Sequence, residues 1–225
     1  MQKKSRRLFF VGVGLLALFV LWTVLIRFVD VRAIGPRESS VGFAALNSCI
    51  HGITGVNMSL YVITDWLGLV PIGVALGFAV LGFVQWIKRK SLFKVDRSIL
   101  VLGGFYIVVM AVYILFEIVV INYRPTLIDG YLEASYPSST TMLVMCVMPT
   151  AAMQLNGRIK NTVLRRCAII AIVAFTAFMV IGRLFSGVHW ITDIIGGALF
   201  SAGVVMIYNA VISLCDNNAE RIFFS

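Results

Sequence analysis

Histidine is scarce in this chain, with His51 and His189 the two examples among 225 residues. Neither histidine nor any of the four cysteines stands at metal-ligand spacing, so no zinc-type motif is readable. Cys146, Cys167 and Cys215 fall in or at the ends of apolar runs, and Cys49 stands alone in a more polar stretch. That pattern gives no disulfide framework and reads as small apolar filler. Acidic residues are also few, ten against nineteen Lys and Arg. No internal repeat and no long linker divides the chain, which is read as a single domain, 1–225. The basic start followed by an apolar run resembles a secretory leader, but no small-residue cleavage site follows. It is read as a retained first span.

What is abundant is apolar surface. The chain is 60% hydrophobic, with a mean hydropathy of +0.96. Soluble domains are roughly 45–50% apolar. Runs of about 20 apolar residues, enough to cross a bilayer, recur at roughly 8–29, 60–87, 98–121, 138–155, 167–185 and 190–214. The expectation is an all-α integral membrane protein of six transmembrane helices. The second run is long and contains Pro71, so an interfacial turn around Thr64 to Gly68 and a kink are expected there. The stretch Asp30 to Asn57 reads as a loop leading into a short interfacial helix. The stretch Asn122 to Tyr136, rich in turn formers, reads as an ordered non-helical loop.

Basic residues set the predicted topology. Fourteen of the nineteen precede span one, lie between spans two and three or four and five, or follow span six. Arg27, Arg32, Arg37, Arg124 and Arg183 take the other side. The positive-inside rule places the fourteen, and both termini, in the cytoplasm of a cell-membrane protein. The net charge of +9 is thereby a topology signal. The clusters are short and flank apolar spans, so the partner they imply is the lipid bilayer and its anionic headgroups, with no nucleic acid.

The densest chemistry lies in Gly182-Arg183-Leu184-Phe185-Ser186-Gly187-Val188-His189-Trp190-Ile191-Thr192-Asp193. Asp193 follows His189 by four positions and shares a face with it if the segment is helical from His189 onward. A carboxylate beside an imidazole fixes its tautomer, which suits a nucleophile or base. A nearby guanidinium points to an oxyanionic substrate such as phosphate.

Other polar residues should reach the same membrane face. Arg124 closes span three there, and Pro137 followed by Ser138, Ser139 and Thr140 opens span four. Pro137 is expected at the first helical position, with free backbone N–H groups after it to receive an anion. Ionisable groups gathered at membrane depth are a functional signal. Their position at one face argues against a small transporter, whose site would lie near the midplane.

These residues resemble the type 2 phosphatidic acid phosphatase (PAP2) family, which shares its site with vanadium haloperoxidases. The third family motif appears as Arg183, five residues, His189, three residues, Asp193; the first ends in Arg124-Pro125; the second begins as Pro137-Ser138. The resemblance covers spans three to six, about 98–214, and implies a PAP2-like helical bundle. It further implies His189 as a nucleophile forming a phosphohistidine, Asp193 as its orienting group, and Arg124, Arg183, Ser138, Ser139 and Thr140 as phosphate holders. The expected substrate is a lipid phosphate or diphosphate, with polyprenyl diphosphate one example. No metal or cofactor is implied, and no oligomeric state is assigned.

Three positions depart from the family pattern. Its first-motif lysine falls at Glu117, the glycine and histidine of the second motif fall at Ser139 and Thr140, and the serine before the arginine of the third falls at Gly182. In the family the missing histidine protonates the leaving group, and losing a general acid typically costs about 10²–10⁴ in rate. Three explanations stand. The leaving group needs no acid, as when phosphate leaves a diphosphate. Or another proton donor serves: Glu117, on the helical face of Arg124 but about 10 Å deeper, or His51 in an external loop. Or the chain binds lipid headgroups without hydrolysis. Phosphotransfer to an acceptor other than water would use the same His189 chemistry.

Overall fold

The computed structural model describes residues 2–223, and the side chains of 3–214. The side chains of Cys215 and Arg221 lie outside the described residues. The chain forms α1 (Gln2–Phe28), α2 (Ala44–Thr54), α3 (Met58–Leu67), α4 (Leu69–Arg89), α5 (Arg97–Ile118), α6 (Ser139–Arg158), α7 (Thr162–Phe185) and α8 (Ile191–Phe223). The protein is all-α and multi-pass.

Five helical stretches are long and apolar enough to cross a bilayer: α1, the run Met58–Arg89, α5, α7 and the part of α8 up to Leu214. The sixth expected span, 138–155, is a helix of 20 residues, α6, but is not among those five. At 1.5 Å rise per residue α6 is about 30 Å long, the thickness of the hydrocarbon layer. Its composition differs because it lies at the centre of the bundle, against α4, α5, α7 and α8. Neighbouring helices, not lipid, surround it, so it carries buried Thr141, Thr150 and Gln154. Two of these find partners: Thr150 Oγ1 donates to Cys146 O at 2.8 Å, and Gln154 Nε2 donates to Tyr208 Oη at 2.5 Å.

The Met58–Arg89 run breaks into α3 and α4 at Gly68. Pro71, in the first turn of α4, has no N–H for the Leu67 carbonyl, and its ring crowds that carbonyl. The expected turn and kink are therefore one feature. α1 packs along α8 as closely as two glycines allow. A Cβ on Gly12 would lie 2.8 Å from the Gly203 carbonyl oxygen, the close backbone approach that small residues permit between membrane helices. Phe19, Phe105, Tyr136, Phe200 and Tyr208 fill the core between α1, α5 and α8.

α2 stands where a short helix was expected within 30–57. Asn47, fully buried, fastens it to the start of α8: its Nδ2 donates to Thr192 Oγ1 at 3.1 Å. At the opposite end of the bundle, Arg89 and Arg158 pair with Asp96 at 3.0 and 3.3 Å.

Candidate active site

α7 ends at Phe185, and Gly187 reverses the chain with φ +68°. A side chain there would be strained by that φ and would also fall on the Gly55 carbonyl oxygen. The backbone packs here: Asn57 N donates to Ser186 O at 2.9 Å, joining the start of α3 to the end of α7. α8 begins only at Ile191, so His189 precedes the helix rather than lying on its face as expected. Asp193 meets His189 because it caps the helix: its Oδ2 accepts from Trp190 N at 2.9 Å. The carboxyl reaching back from the third helical residue is one half of a capping box.

The separation of His189 Nδ1 from Asp193 Oδ2 is 3.8 Å, too long for a hydrogen bond. Ser135 bridges the two. Its Oγ donates a short hydrogen bond to Asp193 Oδ2 and lies 3.3 Å from His189 Nδ1. With its proton on Asp193, Ser135 accepts from Nδ1–H. That assignment leaves Nε2 unprotonated, with its lone pair toward Arg183.

A hairpin in the expected non-helical loop delivers both Ser135 and Arg124. Asp129 (φ +50°) and Gly130 (φ +80°) make its turn, the Asp-Gly pair that suits a type I′ hairpin. Across the hairpin Arg124 N donates to Glu133 O at 3.0 Å and Ser135 N to Asn122 O at 2.9 Å. Arg124 also pairs with the Glu133 carboxylate at 3.1 Å.

Arg183, in the last turn of α7, is 1% exposed. Its Nη2 lies 3.4 Å from His189 Nε2, and its Nη1 lies 3.4 Å from Thr64 Oγ1 and 3.5 Å from Asp65 Oδ1. The ring of Tyr61 carries both guanidiniums, Arg183 at 5.1 Å and Arg124 at 5.8 Å from its centroid. Several buried donors have no partner among protein atoms: Arg183 Nε, Arg124 Nη1, Ser138 Oγ and Thr141 Oγ1. Buried donors are normally satisfied. Two adjoining guanidiniums with unused N–H groups are a site built for an anion.

Burial holds the His189 imidazole well below its ordinary pKa, and the charges of Arg124 and Arg183 push it the same way, against a smaller opposing contribution from Ser135. At neutral pH the ring is therefore uncharged and nucleophilic at Nε2.

The start of α6 differs from expectation. Ser138 is the N-cap and Pro137 precedes it, so the proline is outside the helix. Ser138 N is already bonded, to Asp193 O at 3.1 Å. The first i→i−4 bond runs from Met142 N to Ser138 O at 2.9 Å, so the N–H groups of Ser139, Thr140 and Thr141 precede the helical ladder. Ser139 and Thr140 are half-buried and line a groove of about 350 Å³ that runs to Leu69, Ile72, Val109 and Leu143 and has Asp65 on its wall.

Glu117 is one residue from the end of α5, because that helix stops at Ile118 and not at 121. It is exposed, near the same end of the bundle as Arg124 and not a further turn or two deeper, and it lines a small cavity with Ser135 and His189. His51 belongs to α2, not a loop, and its ring lies 5.4 Å from that of Trp190. Its pKa is lowered by burial.

The structure thus brings Arg124, Ser138, Arg183, His189 and Asp193 into one cluster. It adds Ser135, Tyr61, Thr64 and Asp65, which sequence reasoning did not select. Asp65 alone carried a signal, a carboxylate inside an apolar run, and was absorbed into the expected turn.

Residues 118–215, somewhat under half of the chain, match the family model of the PAP2 superfamily. No curated protein matches the chain significantly. Its fold is similar to the crystal structure of a transmembrane PAP2-type phosphatidylglycerolphosphate phosphatase from Bacillus subtilis, with a TM-score of 0.50 and 21% identity over 94% of this chain and 96% of that one. At that identity the likeness is one of fold.

Proposed function

We propose that the protein hydrolyses a lipid phosphate or diphosphate at the extracytoplasmic face of the cell membrane, through a phosphohistidine on His189. The observation that carries this reading is the set of unpartnered buried donors on Arg124, Arg183 and Ser138 beside an uncharged imidazole. Arg124 and Arg183 hold the phosphoryl oxygens and stabilise charge as it develops. His189 Nε2 attacks phosphorus, the N–P bond forms, and the bond to the leaving oxygen breaks. The Nδ1 proton stays on the Ser135–Asp193 bridge, which stabilises the cationic ring. Water then attacks the phosphohistidine, breaks the N–P bond and releases phosphate. The guanidiniums supply the positive charge that this mechanism needs.

Two further features support a lipid substrate. The groove from Thr140 to Leu143 is apolar beyond its head and follows the seam of α4, α5 and α6. It suits an acyl or prenyl tail lying beside a headgroup at the arginines. Arg89 and Arg158, from the basic connections, sit at the opposite end of the bundle. By the positive-inside rule the site then faces outward.

Purified protein in detergent with a chelator, offered a panel of monophosphate and diphosphate lipids, tests the reading. Phosphate release that disappears in His189→Ala is expected. Undiminished turnover in His189→Ala rejects the mechanism. A second reading, headgroup binding without hydrolysis, is favoured by Thr140 at the position where the family has its acid. It predicts phosphate-dependent thermal stabilisation with no turnover, and a gain of activity in Thr140→His.

A further inference from the structure

Four carboxyl or imidazole side chains outside the His189–Asp193 pair approach the cluster: Glu117, His51, Asp65 and Glu133, the last paired with Arg124 at 3.1 Å. Each relates differently to the reacting nitrogen. Glu117 lines the cavity shared with Ser135, the residue that holds Nδ1, on the non-reacting edge of the ring. His51 rests on Trp190. Asp65 shares a guanidinium with Nε2 itself. Arg183 offers Nη2 to Nε2 at 3.4 Å and Nη1 to Asp65 Oδ1 at 3.5 Å.

Those two contacts bound the distance from Asp65 to Nε2 at about 9 Å, given the span of one guanidinium. In-line displacement needs a similar span. The nucleophile stands about 3–3.5 Å from phosphorus, and the acid about 2.6–3.2 Å from the leaving oxygen. With the P–O bond between them, nucleophile and acid lie roughly 7 Å apart. The leaving oxygen must also point where the tail goes. Asp65 is the one carboxyl on the wall of the tail groove, at the same end as Ser139 and Thr140.

We infer that Asp65 is the general acid and base of the reaction, a catalytic residue delivered by α3 from outside the segment that matches the family model. In the first step His189 Nε2 bonds to phosphorus, the P–O bond to the lipid breaks, and the Asp65 carboxyl gives its proton to the departing oxygen. In the second step the Asp65 carboxylate takes a proton from the attacking water as the N–P bond breaks. The acid is thereby restored for the next cycle, and no outside reactant is needed. Thr140, on the same wall, donates a hydrogen bond and no proton.

The inference rests on the phosphohistidine reading above, and the test separates the two. Pre-steady-state release of the leaving group is followed in detergent-solubilised full chain with para-nitrophenyl phosphate, phenyl phosphate and a short-chain lipid phosphate. The nitrophenolate leaves without a proton; the other two need one. Asp65→Asn is expected to slow release from the phenyl and lipid phosphates by about 10²–10⁴-fold, and from para-nitrophenyl phosphate by less than about tenfold. Equal slowing on all three would mean that Asp65 only positions Arg183, and no slowing would mean that it does nothing; either overturns the inference. Selective loss in Glu117→Gln in place of Asp65→Asn overturns it too. Where Asp65→Asn does not fold, Asp65→Glu carries the test. It should keep release from both phenyl and para-nitrophenyl phosphate within about tenfold of the parent's rates, and slowing both substrates equally and deeply overturns the inference. A burst that persists in His189→Ala removes the phosphohistidine reading, whatever Asp65 does.

Discussion

Ser135→Ala removes the one hydroxyl that joins His189 to Asp193. Without it the imidazole Nδ1–H faces a carboxylate 3.8 Å away, beyond hydrogen-bond reach, and Asp193 Oδ2 keeps only Trp190 N at 2.9 Å. Hydrogen bonds to charged groups contribute about 1.5–3 kcal/mol each. If that stabilisation is felt mainly in the transition state, where the ring becomes cationic, kcat falls about 10–150-fold at 1.36 kcal/mol per decade. KM changes little, because Ser135 does not touch the anion-holding groups. Steady-state kinetics on parent, Ser135→Ala and Ser135→Thr would measure the effect. A fall under threefold would refute the bridge. So would a rise in KM that accounts for the whole loss.

Three other outcomes follow from the same geometry. His189 has a folded pKa below its unfolded value near 6.5, so its contribution to stability is complete above that value and is lost as pH falls below it; thermal unfolding of parent against His189→Gln between about pH 8 and pH 5 should show the variant less acid-sensitive. Inorganic phosphate at about 100 times its Kd should stabilise the parent by about 2.7 kcal/mol, and Arg183→Gln should remove most of that shift in a thermal melt. Gly187→Ala must adopt φ +68° and displace the Gly55 carbonyl; a cost of about 1–3 kcal/mol and loss of activity are expected, whereas Gly14→Ala, where a Cβ meets nothing within 4 Å, should leave the melt unchanged to within about 0.5 kcal/mol.

The membrane character and the order of the helices were readable from hydropathy, since a bilayer imposes length and polarity on each span separately. α6 shows where that signal weakens. A helix enclosed by other helices is released from the demand for apolar composition, and only packing reveals that it is central. Arg124, Arg183, His189 and Asp193 stood out because ionisable groups are conspicuous in apolar surroundings. Ser135 did not, because a serine in a turn-rich loop carries no such contrast. Its role comes from a hairpin register that pairs Asn122 with Ser135 and Arg124 with Glu133. The capping role of Asp193 was likewise hidden: the i,i+4 spacing was read as a helical face, but the helix begins two residues after His189.

The amino-acid order by itself determined that this chain crosses a membrane several times, which way its basic ends point by rule, and which guanidinium, imidazole and carboxylate stand at motif spacing. These are local properties, set by each residue's free energy in lipid and by short separations along the chain. Tertiary structure decided what touches what. It turned Tyr61, Thr64 and Asp65 of α3 toward Arg183, set Ser135 between His189 and Asp193, and brought Glu117 to the end of the bundle that holds the site by stopping α5 early. Contacts across 119 positions, as between Thr64 and Arg183, arise from helix packing and loop register, and no periodicity within one segment encodes them.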